Sequence, residues 1–350
     1  MGTLVTVVVA LFVFGFLIFI HEFGHYIFAR IFKVKINEFS IGMGPKLVWY
    51  DSKKTGIRYA LSMFPIGGYV AMAGEDDESD DPNSFDKKPA WQRFIITFAG
   101  AAVNIIAGFI AMIILTSIID FGGTTIHSFR DKEELGFDIS SSESGLMAED
   151  EIIAVDGKKV VILDELSYEI MRRGTKPIDI TVRRDGEIIT IPDVVFPGIT
   201  EQGQNFGSID FIVYASEKNF GNVMKFSWRK SCLIVRMCWE SIFDLITGRY
   251  TFAAVSGPVG ISAAIGEAAA SEDKAALLYI TTLISINLGV MNLLPIPALD
   301  GGRLITILAE MVTRKKLPKK VEGMVNFIGL VLLLGLSAVI MIKDVIQLII

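Results

Sequence analysis

The chain has 350 residues, 51% of them hydrophobic and 21% charged, with a mean hydropathy of +0.51. So much apolar surface excludes a disordered tail and an ordinary soluble enzyme. A net charge of −6 excludes the basic footprint of a nucleic-acid binder.

The apolar residues come in blocks. Thr3 to Ile20 is a nearly unbroken apolar run, long enough once it passes His21 to cross about 30 Å of hydrocarbon. It lacks the basic start and the small-residue cleavage site of a signal peptide, so it reads as a retained span. His21-Glu22-Phe23-Gly24-His25 follows directly. The connection to the second span is rich in Lys and Arg. Within it, Arg58 to Met72 reads as two short strands around Pro65-Ile66-Gly67-Gly68, and the acidic run Glu75 to Asp81 as a solvated loop.

The second span covers about Phe94 to Ile119. Gly123 to Gly198 then changes character, with alternating apolar residues and frequent turns, such as Arg184-Asp185-Gly186 between two predicted strands. Gly145-Leu146-Met147-Ala148-Glu149-Asp150-Glu151-Ile152 resembles the Gly-Leu-x-x-Gly-Asp-x-Ile signature of PDZ domains, with Glu149 where glycine is usual. Glu134-Leu-Gly-Phe137 is similar to a carboxylate-binding loop, but four residues carry little weight. Val223 to Gly248 is apolar yet carries Lys225, Arg229, Arg236, Glu240 and Asp244 within roughly 100° of one another, the pattern of a helix lying in the membrane interface. Cys232 and Cys238 on this segment point roughly 120° apart and read as small packing residues, with no disulfide framework. A third span runs from about Ala275 to Leu294 and a fourth from about Val325 to Ile342.

The expected fold is therefore a polytopic α-helical membrane protein with four transmembrane helices, an inserted extracytoplasmic β-rich PDZ-like domain and a cytoplasmic-side β-hairpin. Short-loop basic residues lie between spans one and two and between spans three and four, at Arg303, Arg314, Lys315, Lys316, Lys319 and Lys320 in the latter. By the positive-inside bias both loops face the cytoplasm and both termini lie outside. The expected parts are residues 1–122, an N-terminal membrane part; 123–200, the PDZ-like domain; and 201–350, the interfacial helix with the C-terminal membrane part.

The chain has three histidines, and two of them sit in His21-Glu22-x-x-His25. Positions i and i+4 share a helix face, so both imidazoles can reach one zinc ion, with Glu22 beside that face and able to touch a metal-bound water. Catalytic zinc needs a third protein ligand. Asp120 ends the second span on the wrong side, and Glu310 lies beside basic residues that can pair with it. Asp300 fits best: it follows Asn292-Leu-Leu-Pro-Ile-Pro-Ala-Leu299, where Pro295 and Pro297 break the third span, and it precedes Gly301-Gly302, which permit close backbone approach.

His-Glu-x-x-His in the first span and Asn292-x-x-Pro295-x-Pro297-x-Leu299-Asp300-Gly301 in a later one resemble the site-2 protease family. The likeness is greatest to its bacterial RseP-like branch of intramembrane zinc metalloproteases, with one PDZ-like unit instead of two. It extends to Gly100-Ala-Ala-Val-Asn104 and Val255-Ser-Gly-Pro-Val-Gly-Ile261. The resemblance implies that His21, His25 and Asp300 hold Zn2+, that Glu22 is the catalytic acid/base, and that Asn104 and Asn292 lie near substrate. It also implies a bacterial cytoplasmic membrane location and single-pass transmembrane substrates such as anti-sigma factors or remnant signal peptides. The Gly67-Gly68-Tyr69 segment is expected to dip toward the metal and accept substrate as an added strand. The rival expectation is a membrane adaptor with a structural metal, which would have no use for Glu22.

Overall fold

The computed structural model describes residues 3–75, 78–130, 141–201, 204–249, 255–273 and 275–349. Asp76, Asp77 and the Glu134–Phe137 segment lie outside them. In chain order the elements begin with α1 (Thr3–Ile31), β1 (Ile36–Asp51), β2 (Arg58–Met72) and α2 (Ala90–Ile118). Next come β3 (Gly122–Phe129), β4 (Glu151–Val155), β5 (Lys158–Lys159), α3 (Leu163–Arg173), β6 (Ile178–Arg184) and β7 (Glu187–Val194). Then follow β8 (Gly198–Glu201), β9 (Gln204–Gly207), β10 (Phe211–Ala215) and α4 (Phe220–Ile246). The last are α5 (Pro258–Ala270), α6 (Ala275–Asn292), α7 (Asp300–Thr313) and α8 (Lys319–Ile349). Two compact units result, residues 1–111 with 255–350, and residues 112–254.

Helices long and apolar enough to cross a membrane cover 5–31, 90–118, 275–292 and 319–346, matching the four expected spans, and all but residues 112–118 of them belong to the first unit. The first of them continues unbroken through both histidines. α6 stops at Asn292 because Pro295 and Pro297 cannot donate into a helical ladder, and each restricts the residue before it. Near its other end α1 meets α5 so closely that a Cβ on Gly266 would lie 2.2 Å from Thr6 Cγ2.

The hairpin differs from its expectation. The two halves of Arg58–Met72 are both strands, but they do not pair with each other. Glu38, Phe39, Ser40 and Ile41 lie opposite Ala71, Val70, Tyr69 and Gly68 on one side, and opposite Arg58, Tyr59, Ala60 and Leu61 on the other. The first part of β1, up to Ile41, is thus inserted between the two halves of β2, while Lys46 to Asp51 pairs with Arg58 to Ser62 from the other side. The sequence pattern of the segment marked strands but not partners, because partner choice depends on non-local packing. Val34, Ile36, Phe39, Val70 and Met72 close a core with Ala29, Ile96 and Ile307. Tyr69 sits on the strand that has β1 on one side only, among the described residues.

The acidic run is also more tied down than a solvated loop. Glu75 pairs with Arg303, and Asp81 lies 2.9 Å from Lys35 Nζ. The Lys35 ammonium and the Asn83 backbone N–H hold the Asp81 carboxyl below the usual carboxylate range.

The second unit is built on a sheet of order β10-β3-β4-β6-β7, with β5 beside β4. β6 alternates as its sequence predicts, Ile178, Ile180 and Val182 buried and Asp179 and Arg183 exposed. Asp185 and Gly186 form the tight turn to β7, both with positive φ. The sheet does not end at residue 200: β10 pairs with β3, so the β-rich part runs on to Ala215. Its short later strands carry too few residues for a clear alternation. Glu149 has φ +70, the left-handed region that glycine enters most easily, and its carboxylate accepts a hydrogen bond from the Tyr214 hydroxyl.

The charged stripe of α4, expected in the membrane interface, has protein partners. It meets α3 and β5, which carry complementary charges. Arg172 Nη1 lies 2.7 Å from Asp244, and Arg229 Nη2 2.7 Å from Glu165. Glu169, almost wholly buried, accepts from Arg173 at 2.9 Å and Arg236 at 2.6 Å, and lies 3.3 Å from Lys158. Burial, and a hydrogen bond donated to Glu240 at 2.7 Å, hold the Tyr168 phenol above its ordinary range. The two cysteines are free thiols, Cys232 exposed and Cys238 half-buried, so Cys232 is not a packing residue. The sequence placed charges on one face of α4 without showing what meets it.

Glu169→Leu tests this junction. It leaves Lys158 and Arg236 to Glu240 and Arg173 to Asp156, and should lower stability by about 1 kcal/mol, less than for a fully buried pair because the cations keep other partners and water contact. Thermal unfolding of the full chain, followed by tryptophan fluorescence, reads this directly, since Trp228 and Trp239 lie on α4. An unchanged midpoint would show the network to be dispensable.

Candidate metal centre

α1 carries His21 and His25 one helical turn apart, with their rings edge to face and centroids separated by 4.8 Å. Asp300 arrives from far along the chain as the first residue of α7, where the positive end of the helix dipole favours a carboxylate. Asp300 Oδ2 lies 3.1 Å from His21 Nε2 and 3.3 Å from His25 Nε2, and the two Nε2 atoms are 3.2 Å apart. Three ligand atoms on a tetrahedral zinc stand about 3.3 Å from one another, given bonds of about 2.0–2.1 Å. Asp300 Oδ2 is buried and receives no hydrogen bond among the described residues, as expected of an oxygen whose partner is a cation. The donor set fits zinc.

The second nitrogens of the rings are also engaged. His25 Nδ1 donates to the Ile96 carbonyl at 2.8 Å, which leaves its Nε2 lone pair for a metal. The Asn104 and Asn292 amides each approach His21 Nδ1 to 3.4 Å.

Glycines let this cluster close. A Cβ on Gly24 would lie 2.6 Å from the Ala99 carbonyl oxygen, so α1 and α2 touch backbone to backbone. On the facing side, a Cβ on Gly100 would lie 2.3 Å from His25 Nε2 and 2.9 Å from His21 Cε1. Gly301, as the sequence suggested, faces the Leu294 carbonyl at a distance that excludes any side chain. Ala298 takes φ +73, and its N–H donates to Asn326 Oδ1 at 3.3 Å, fixing the turn that delivers Asp300.

A cavity of about 370 Å³ opens on the cluster, lined by His21, Glu22, His25, Tyr69, Asn292 and Asp300, with Glu75 and Arg303 also on its wall. Glu22 is half-buried there, and a Cβ on Gly68 would approach its Cγ to 3.3 Å. Gly67 has φ +88. Tyr69 donates to Glu38 at 2.6 Å, and Lys46 lies 2.5 Å from the same carboxylate. Burial alone would push the Glu38 carboxyl up, but these two hydrogen bonds outweigh it and hold its pKa down. Of the residues expected near substrate, Asn292, Tyr69 and Gly68 stand at the cavity or beside Glu22. Asn104 is fully buried and does not line it. Glu310 pairs with Arg93 at 2.5 Å and Asp120 with Lys218 at 2.8 Å, so neither competes for the site.

Gly100 and Asn326 carry roles that the motif reading left unassigned. The signals were there: a run of small residues, Ala99 to Ala102, within a span, and a lone asparagine inside the last one. Gly100→Ala should push the His25 ring aside and reduce bound divalent metal at least tenfold. Metal analysis of the purified protein measures it, and wild-type content would mean that the rings can shift.

The sequence profile of Peptidase family M50 matches residues 9–336. A Clostridium perfringens protein bearing the name "Putative zinc metalloprotease" is 32% identical over 341 residues, 97% of this chain and 98% of its own length. Proteins of the same name from Clostridium acetobutylicum and Fusobacterium nucleatum are 33% and 34% identical, covering 97% of this chain and 97% and 98% of their own lengths. With its histidine pair and distant aspartate meeting inside apolar helices, this chain belongs to peptidase family M50, the site-2 protease family, and is a metalloendopeptidase.

Proposed function

We propose that this chain is a zinc endopeptidase that hydrolyses peptide bonds within transmembrane segments of other membrane proteins. One observation carries the reading: His21, His25 and Asp300 converge within 3.3 Å of one another on elements of a multi-span membrane protein, beside a cavity that also holds Glu22. Zinc, when bound, supplies the Lewis acidity that activates water at neutral pH and polarises a carbonyl. Glu22 accepts the proton of the attacking water and returns it to the departing amide nitrogen. The cavity admits that water, and Gly68 puts no side chain against Glu22.

A helical substrate must unwind before its carbonyl can be attacked, and unwound backbone in lipid needs new partners. The Gly68–Met72 half of β2 supplies them by accepting the substrate as an added strand. It is paired with β1 on one side, and its Tyr69, Val70 and Met72 line the cavity. Met43, Leu47, Trp49, Met63 and Phe64 on the outer part of this sheet are all about half exposed, a surface suited to lipid. Asn292, at the cavity wall, orients the substrate carbonyl.

The remaining parts follow from the charge pattern and the family resemblance. Basic residues in the loops between the first and second and the third and fourth spans support a cytoplasmic position for those loops, with both termini and the β-rich domain on the extracytoplasmic side of a bacterial cytoplasmic membrane. The β-rich domain acts as a PDZ-like screen for substrates whose outer part has already been trimmed. The left-handed Glu149, at the position of the signature glycine, supports this assignment. The substrates are single-pass membrane proteins of the anti-sigma-factor or remnant-signal-peptide type.

Glu22→Gln should keep its zinc and lose cleavage of a model transmembrane substrate by 10²-fold or more; equal cleavage by variant and wild type would refute the hydrolase reading. Proline placed in turn at Tyr69, Val70 and Ala71 should lower the cleavage rate while zinc content stays intact. Unaltered cleavage in all three would remove the added-strand step and leave the zinc chemistry standing.

A further inference from the structure

Asn104 is an unexplained residue. It lies in the middle of α2, fully buried in an apolar span, and its side-chain oxygen Oδ1 has no hydrogen-bond partner among the described residues. A buried unpaired amide oxygen costs on the order of 1–3 kcal/mol, and a polar residue at this depth calls for a role. Its backbone is pinned: the Asn104 carbonyl accepts the Ser285 hydroxyl at 2.8 Å, tying α2 to α6 at this level. The side chain therefore has a fixed reach, and what it reaches is His21 Nδ1, at 3.4 Å.

His21 has two ring nitrogens with opposed duties. Nε2 faces Asp300 Oδ2 and His25 Nε2, so it must offer a lone pair to any metal held there, and the ring proton must then sit on Nδ1. A proton on Nδ1 inside apolar helices needs an acceptor. His25 has solved the same problem with the Ile96 carbonyl. For His21 the available acceptors are amide oxygens; Asn104 Nδ2 is the atom at 3.4 Å, and a 180° rotation of the amide brings Oδ1 to Nδ1 and puts the NH2 where the oxygen now has no partner. Asn292 approaches the same nitrogen at the same distance but lines the cavity, where water or substrate also meets it.

We infer that Asn104 is a positioning residue: its side-chain oxygen accepts the Nδ1 proton of His21 and so commits Nε2 of that ring to the metal. It touches neither substrate nor the reacting atoms. This rests on the zinc reading above and assigns Asn104 a task other than substrate contact. The same amide serves both tautomers. With its NH2 toward Nδ1 it matches a ring protonated at Nε2, and with Oδ1 toward Nδ1 it matches a ring ready to bind.

The test is zinc affinity of the full chain in detergent micelles, measured by competition with a chelator of known strength. Asn104→Leu, close in volume, should bind zinc 10–100-fold more weakly than wild type and should recover activity when zinc is raised. Asn104→Asp keeps an acceptor and loses the donor, so it should bind zinc at least as tightly as wild type. Asn292→Leu should leave zinc affinity unchanged and raise KM. Wild-type affinity in Asn104→Leu would overturn the inference, as would loss of zinc in Asn104→Asp or an equal loss in Asn292→Leu. Should Asn104→Leu fail to fold, the Asn104→Asp measurement still decides between acceptor and donor. A wild-type chain that binds no zinc would instead refute the parent reading, which keeps the two failures apart.

Discussion

Three lone-pair atoms held within 3.3 Å of one another at the wall of a cavity repel unless a cation or a shared proton lies between them. That constraint organises the membrane unit. It explains why α1 continues as helix through two histidines, since both imidazoles must project from one face. It explains why the chain breaks after Asn292 and restarts at Asp300, since an unbroken α6 would carry the aspartate past the site. Gly24 and Gly100 belong to the same logic, because α1 and α2 must close to backbone contact before Ile96 can reach His25. Metal affinity and helix packing are thus one problem here.

The charged residues obey a second rule: those drawn out of water find partners. In the β-rich unit, Glu169 gathers Lys158, Arg173 and Arg236, and Arg172 joins Asp244. In the membrane unit, Arg303 pairs with Glu75 near the cavity, and Arg93 with Glu310. Pairs of this kind add little net stability over apolar replacements, but each fixes one arrangement of the segments it joins. The apolar surface is left facing outward. Only 6% of the most apolar window of α8 is buried, against 39% for α2, so among the described residues α8 is the span least covered by the rest of the chain.

Much of this was legible in the residues. The spans were readable because hydrocarbon sets their length, and His21 with His25 because a shared face fixes their spacing. The approach of Asp300 to the histidines was readable because Pro295, Pro297 and two glycines flag a broken helix. What could not be read was partnership. The pattern in Arg58–Met72 announces strands but cannot say that β1 slides between them. The stripe on α4 shows charge but not the opposite charges on α3, which lie more than fifty residues away. Asn104 illustrates the same limit. Its presence in a span was visible, but the ring nitrogen it faces comes from another helix, and only the folded chain brings them together.

The position of the histidine pair along α1 has a consequence for what leaves the enzyme. His25 lies six residues before the end of the helix at Ile31, about 9 Å, and twenty-two residues after its start at Thr3, about 33 Å. On the proposed reading, a membrane anchor severed at that depth yields fragments of unequal greasiness. The fragment from the shorter side carries less apolar length than the other and is held by the bilayer more weakly. An asymmetric scission plane would make release directional without any further moving part.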